Sequence, residues 1–296
     1  LFDDATDAQP FVSEYIPIEI SDAEFAQIRQ ILFEMNGFNL DAYKDKCVRR
    51  RIAIRIRANH CYNVKEYCDL LSSQEKEVNL LLKVLTIHVS QFFRNFSVFE
   101  KLRLEIIPYL FGAARQESLN ALRFWSVGCA GGEEPYTLAM ILDDQFQHEM
   151  SRIPVQIDAT DVDPTILESA RIGVYSQERM LELPLHYREK YFIEENGLFT
   201  LSPKIRSMVT FRYADMFHDD TYQSSDLILC RNVMIYFARE QQDKVFRNIA
   251  RVLNEWGFLL LGKSETILGE SRNYFQTVCP IERLFRPAQA GFRGGR

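Results

Sequence analysis

Phe124-Trp125-Ser126-Val127-Gly128-Cys129-Ala130-Gly131-Gly132-Glu133-Glu134-Pro135 opens as a short apolar run of strand type and breaks into three glycines within five residues. It then passes into Glu134–Met150, which reads as a helix. Pro135 suits the first helical turn, where a missing N–H removes no bond, and the two acids suit the positive end of the helix. Strand, glycine turn and helix form the opening unit of an α/β nucleotide-binding domain. Gly128 is the position at which the backbone can approach a ligand that a Cβ would push away.

The turn is neither the dinucleotide fingerprint G-x-G-x-x-G nor a phosphate loop, because it lacks the Lys-Ser/Thr pair. Carboxylates in the place of a pyrophosphate cradle argue against a polyphosphate. They favour a ligand with hydroxyls and positive charge, a description that S-adenosylmethionine meets. Taken alone, the turn admits two readings, a cofactor site or a tight packing turn.

The 296 residues suffice for a sizeable core in one large domain or two. With 47% hydrophobic and 26% charged residues the class is soluble and globular, and no apolar run is long enough for membrane insertion. A net charge of −6 supplies no drive toward nucleic acid or an anionic membrane. Six scattered cysteines without a C-x-x-C pair point away from a disulfide framework or a metal site. They point toward a reducing, cytoplasmic setting.

Residues 1–20 are acidic and irregular, and are expected to be a flexible arm. Ser21-Asp22-Ala23-Glu24 has capping-box spacing and opens a helix that Gly37 stops. Further helices are expected over Asp41–Asn59, Val64–Leu71 and Gln74–Leu85, giving a small helical domain over residues 21–90. The second of them is strongly basic. At 3.6 residues per turn Lys44, Arg51 and Arg55 share one stripe, and Lys46, Arg50 and Arg57 another. The stripes are either a solvated face or a docking surface for an acidic partner.

An α/β domain over residues 91–286 follows, with a helix over Val98–Arg115 bent near Pro108. Its second strand, Val155–Thr160, runs into Asp161-Val162-Asp163-Pro164. An acid at this strand end is what such folds use for ribose hydroxyls. Asp161 and Asp163 are both candidates, the alternative for one of them being to cap the next helix, and Asp161, nearer the strand, is the expected ligand. Tyr191–Ile193 and Leu198–Leu201 form a hairpin through Asn196-Gly197, within an inserted β-subdomain spanning about 173–206. Strands at Met208–Tyr213, Asp226–Cys230 and Gly257–Gly262, a helix at Arg239–Asn254 and a closing antiparallel pair complete the domain. Residues 287–296 are expected to be disordered.

Ser90-Gln91-Phe92-Phe93-Arg94, Gly132-Glu133-Glu134-Pro135-Tyr136, Ala159-Thr160-Asp161-Val162-Asp163 and Cys230-Arg231-Asn232-Val233-Met234-Ile235-Tyr236-Phe237 occur in the order found in the CheR family, and from Ile20 to Phe285 the chain resembles that family. These enzymes methylate glutamates on bacterial chemoreceptors. The resemblance implies a doubly wound, Rossmann-like methyltransferase domain with a small antiparallel β-subdomain, preceded by an all-α domain. It implies S-adenosylmethionine as cofactor, with S-adenosylhomocysteine as product, and a monomer acting on receptor helices in chemotaxis adaptation.

Carried over residue by residue, it gives Arg94 and Tyr236 catalytic roles. It places His88, Ser90, Arg94, Gly128, Glu134, Asp161, Asp215, Met216, Arg231 and Asn232 at the cofactor. With chemoreceptors as substrate, the Lys44, Arg51 and Arg55 stripe of the basic helix is the expected docking surface for the acidic receptor helices. The sequence departs from the family pattern at His88, where Asn is usual, and at Ser90, where Thr is. Lys263 stands for His, and Ala130-Gly131 for a Ser-Thr pair. A non-catalytic module that binds S-adenosylmethionine and docks on a receptor assembly is the competing expectation.

Overall fold

The structure, a computed structural model, describes residues 18–86 and 90–288. Most of the expected N-terminal arm, most of the expected tail and His88 lie outside the described residues. The chain divides into two compact units. One takes residues up to 40 together with 45–85; the other takes 41–44 together with residues from 86 onward. The four-residue segment 41–44 therefore packs with the α/β unit although it lies inside the helical stretch of the sequence.

The helical unit consists of α1 (Asp22–Asn36), α2 (Asp45–Ala58), α3 (Val64–Ser73) and α4 (Glu75–Thr86). Ser21 caps α1 reciprocally, its hydroxyl accepting from Glu24 N while its own N–H donates to Glu24 Oε2, and Gly37 ends the helix at φ 69°. Ile28 and Leu32 of α1, Ile52 and Ile56 of α2, Tyr67 and Leu71 of α3 and Leu81 of α4 are buried.

α2 begins at Asp45 and not at Asp41, since Leu40–Ala42 form a single 3-10 turn and the backbone of Ala42 and Lys44 is bonded within the α/β unit. Lys44 thus precedes the helix and shares no stripe with Arg51 and Arg55. Those two arginines are engaged inside the helical unit. Arg51 donates to Leu85 O at 2.6 Å, and Arg55 grips Glu77 with Nε and Nη2 at 2.9 and 2.5 Å. Tyr67 adds its hydroxyl to Glu77 at 2.8 Å. Lys46, Arg50 and Arg57 form the exposed stripe.

The α/β unit opens with α5 (Phe96–Lys101) and α6 (Ile107–Gln116). The bend expected near Pro108 is a π-helical turn, Leu102–Ile106. Pro108 has no N–H for the carbonyl four residues back, and the ladder slips just ahead of it. Next come β1 (Leu122–Val127), α7 (Glu133–Gln145), α8 (Gln147–Met150), β2 (Val155–Asp161) and α9 (Pro164–Ile172). The insertion holds β3 (Val174–Ser176), α10 (Leu185–Tyr191), β4 (Phe192–Glu195), β5 (Leu198–Leu201) and α11 (Pro203–Arg206). The chain closes with β6 (Val209–Tyr213), β7 (Ser225–Cys230), α12 (Arg239–Val252), β8 (Leu253–Leu261), β9 (Phe275–Cys279) and β10 (Leu284–Pro287).

The large sheet runs β6-β2-β1-β7-β8-β10-β9. Its first five strands are parallel, and β10 lies antiparallel to both β8 and β9. Successive residues of β1 enter opposite clusters: Phe124 packs with Ile157 and Leu138 on one face, and Trp125 and Val127 with Phe246 and Leu261 on the other. A sheet buried on both faces is the doubly wound arrangement, and its order reverses between β1 and β7. The small sheet runs β3-β5-β4. Its hairpin turns through Asn196 at φ 52° and Gly197 at φ 75°, the left-handed pair that matches strand twist.

Burial pushes the Glu77 carboxyl up, but Arg55 and Tyr67 outweigh that and hold it below its ordinary range. A depressed carboxylate adds stability above its unfolded pKa, and that stability is lost as pH falls through the folded value. Glu77→Gln should therefore destabilise the helical unit by about 3 kcal/mol at neutral pH. The deficit should shrink below about pH 4. Urea unfolding followed by far-UV circular dichroism across that pH range checks it.

Candidate active site

Parallel strands deliver their carboxyl ends to one edge, so the segments after β1, β2, β6 and β7 share the rim of the cleft at the order reversal. After β1, Gly128 turns at φ 67°, and a Cβ there would meet Val233 Cγ2 at 2.6 Å. Only glycine lets the β1 turn and the β7 loop approach this closely. Gly128 N and Cys129 N both donate to Thr160 O of β2, at 2.8 and 3.0 Å. Gly132, at φ 86°, then launches α7.

Asp161 ends β2 and ties the glycine turn down. Its Oδ2 accepts from Ala130 N at 2.9 Å and its Oδ1 from Asp163 N at 3.1 Å. Asp163 caps α9 by accepting from Thr165 N and Ile166 N, with Pro164 at the first helical position. After β6, Asp215 accepts from Phe217 N through Oδ1, and Met216 O accepts the Tyr222 hydroxyl. Asp215 and Met216 follow directly on Ala214, whose N–H bonds Asp161 O at 3.1 Å.

Arg231, at the end of β7, joins the remaining motifs. Its side chain is 2% exposed, and its Nη1 donates to Glu134 Oε2 at 3.1 Å. Its Nη2 donates to Arg94 O at 2.8 Å and Asn95 Oδ1 at 3.0 Å. Glu134 Oε1 accepts from Ser126 Oγ of β1 at 2.8 Å. The Arg94 turn is strained on both sides, with Phe93 at φ 55° and Asn95 at φ 64°. Left-handed non-glycine residues persist only where their surroundings over-determine them. Here Phe93 N donates to Thr137 Oγ1, Asn95 N to Glu182 Oε2, and Phe92 N to Arg179 O. Phe92 packs edge-on against Tyr175 and Phe192, and Phe93 lies against Tyr187 and Phe99. Both phenylalanines are buried packing residues.

Three supports were not foreseen. Glu265, after β8, accepts from the backbone N–H groups of Asn232, Val233, Ile235 and Gly262 at 2.6–3.3 Å. Burial raises its carboxyl above the ordinary range while the N–H groups draw it back. Arg179 donates to Ser90 O at 2.7 Å and pairs with buried Glu133 at 3.1 Å. Tyr175 donates its hydroxyl to Gly131 O at 2.8 Å. A signal for Glu265 existed, an acid just past a strand neighbouring β7. For Arg179 and Tyr175, inside the insertion, there was none.

The rim suits S-adenosylmethionine. Glycine replaces a side chain where backbone must approach, acids stand at the ends of β2 and the start of α7, and Asn232 Oδ1 is a buried acceptor without a hydrogen-bond partner among the described residues. No group of three or more potential metal ligands clusters among the described residues. Among them, no helix is long and apolar enough to cross a membrane. Fold and cleft define an S-adenosylmethionine-dependent methyltransferase.

Residues 88–282 match the family described as the CheR methyltransferase SAM-binding domain, and residues 23–86 match the CheR methyltransferase all-alpha domain. The chain belongs to the CheR methyltransferase family. It is 31% identical over 258 residues to the chemotaxis protein methyltransferase of Borreliella burgdorferi, covering 85% of this chain and 91% of that protein. It is 34% identical over 232 residues to that of Listeria monocytogenes, covering 78% and 86%. An uncharacterized 104.1 kDa protein of Rhodobacter capsulatus is 31% identical over 280 residues, and this chain spans only 29% of that relative's length.

Asp161→Ala should weaken S-adenosylmethionine and S-adenosylhomocysteine binding by roughly 1.5–3 kcal/mol, the loss of charge-assisted bonds. Titration calorimetry measures it; unchanged affinity would remove Asp161 from the cofactor contacts.

Proposed function

We propose that this protein transfers the methyl group of S-adenosylmethionine to glutamate side chains of bacterial chemoreceptors, forming glutamyl methyl esters. The observation that carries the reading is the strained Arg94 turn, tied by Arg231 to Glu134 in the first turn of α7. Strain of this kind clusters at active sites, and its place on both sides of Arg94 supports a task in the reaction for that residue. The names of the Borreliella and Listeria relatives support chemotaxis as the setting.

The cofactor supplies an electrophilic methyl group, and a carboxylate displaces it in line. An unperturbed glutamate has a pKa of about 4.3 and is ionised at neutral pH, so no strong base is required. Orientation carries the rate. In this reading Arg94 holds the incoming carboxylate, because a planar fork gives directed, charge-assisted bonds, and the Tyr236 hydroxyl steadies the donor or the carboxylate. Asp161 holds the ribose, Asp215 and Met216 border the adenine, and Ser90, Gly128, Glu134, Arg231 and Asn232 complete the cofactor surroundings. The partner is an acidic receptor helix bundle, met by the exposed basic stripe of α2.

Arg94→Ala should lower kcat/KM for receptor fragments by about a hundredfold, or roughly 3 kcal/mol, with the fold retained. Arg94→Lys should recover little, since an ammonium cannot reproduce the fork. Near-normal turnover by Arg94→Lys would sink the assignment, and no transfer by the wild-type protein to any receptor fragment would favour the non-catalytic module.

Docking through α2 acts mainly on encounter and is screened by salt. Lys46→Glu with Arg50→Glu should raise the KM for receptor severalfold at low salt, the difference fading at about 0.5 M salt, with kcat and cofactor affinity unchanged. Steady-state methylation at two ionic strengths reads this directly.

A further inference from the structure

Segment 41–44 is short, belongs in sequence to the helical stretch, and packs with the α/β unit. Its contacts converge on one turn, Met234–Ala238, which carries Tyr236. Tyr43 bridges Phe237 in antiparallel fashion. Ala238 N donates to Ala42 O and Lys44 N to Tyr236 O, both at 2.9 Å. The Lys44 ammonium donates to Ile235 O at 2.8 Å. The rings of Tyr43 and Phe237 meet edge-on at 5.0 Å, and Phe237 meets Phe217 in the same way at 4.8 Å. Ala42 is buried in the cluster that holds Met234 and Phe237.

The opposite side of the turn is held by Glu265, through the N–H groups of Val233 and Ile235. The peptide groups on both sides of Tyr236 are therefore claimed from two directions. Glu265 takes N–H groups ahead of it, and the segment takes the carbonyls of Ile235 and Tyr236 and the N–H of Ala238. An exposed lysine spending its ammonium on a carbonyl next to Tyr236 is not arranged to greet a partner. Lysine lends itself to such a task, because its long stem reaches a carbonyl that shorter donors miss.

We propose that Tyr43 and Lys44 are positioning residues for methyl transfer: they act as a strap that fixes the backbone on both sides of Tyr236 and so aims its phenol. The strap rests on the reading of Tyr236 as a group of the active site. It reassigns Lys44 from recognition of the receptor to support of the reaction. The two roles separate kinetically, because a docking residue acts on KM and a positioning residue on kcat.

The test is Tyr43→Ala combined with Lys44→Met in the full chain, assayed on receptor fragments. We expect kcat to fall by about tenfold, with the KM for receptor and the S-adenosylhomocysteine affinity within about twofold of wild type. Tyr43→Phe, which keeps the ring, and Lys44→Arg, which keeps a long cationic donor, should each retain most of the wild-type kcat. A raised KM with kcat intact would overturn the proposal, as would a kcat within about twofold of wild type in the double variant. Amide exchange supplies a readout independent of turnover. The double variant should speed exchange at Ala238 by about tenfold and leave β7 unchanged, and unaltered exchange would overturn the strap. If the wild-type protein methylates no receptor fragment, the proposed function fails while the exchange result still decides whether the strap exists.

Discussion

The cleft depends on one buried guanidinium. Arg231 sits at the end of β7 and is removed from solvent, so its charge has to be answered from inside the protein. Two segments answer it: Glu134 in the first turn of α7, and the Arg94 turn through the carbonyl of Arg94 and the side chain of Asn95. They lie on different stretches of chain, and Arg231 ties them together. Phe99 covers the guanidinium at 5.3 Å, adding a ring face to the pairing. A rigid fork with five donors can serve three directions at once; an ammonium at this place would lose the geometry. The turn with two left-handed residues is stable in this company and would relax without it.

Carboxylates play the complementary part at the neighbouring strand ends. Asp161 gathers N–H groups from the glycine turn and from the start of its own loop, and Glu265 gathers four from the β7 loop and the β8 end. Loops that leave a parallel sheet carry orphan N–H groups, and a short acid can satisfy several of them where no strand continues. Gly262 is part of the same device, since a Cβ there would stand 2.7 Å from Glu265 Oε2 and 2.8 Å from Asn232 N. The cleft is thus shaped by fixed charges facing backbone, with little left to side-chain flexibility.

Much of this was legible in the sequence, and the reasons are local. The capping box at Ser21, the Asn196-Gly197 turn, the Asp163-Pro164 cap and the apolar runs of β1 and β7 are written in neighbouring residues, so spacing is enough to read them. The start of α2 was not, because Asp41–Lys44 have an acceptable helical pattern and only partners some 190 positions away draw them out of it. β8 begins at Leu253, ahead of the expected Gly257, for a similar reason. Asp226 reaches across to accept from the side chains of Asn254 and Trp256, stretching residues that read as the end of a helix. Arg51 and Arg55 looked outward by charge alone; a buried glutamate and the Leu85 carbonyl near the end of α4 turned them in. Gly128, Asp161, Asp215, Met216, Arg231 and Asn232 stand at or just past strand ends, where the parallel sheet alone would put candidates, while the inserted residues Arg179 and Tyr175 have no pattern that announces them.

The strap also bears on heredity and engineering. The chain passes between its two units after Leu40, after Lys44 and after Leu85, so neither unit is one uninterrupted stretch. A helical domain cannot be exchanged between relatives as a cassette without carrying along four residues that belong to the recipient's catalytic half. A fragment cut at residue 86 would keep every strand of the large sheet and still lack part of its own α/β unit. Recombination that respects the fold must break the sequence in three places, and drift at residues 42–44 is answerable to the turn around Tyr236 before it is answerable to the helices on either side.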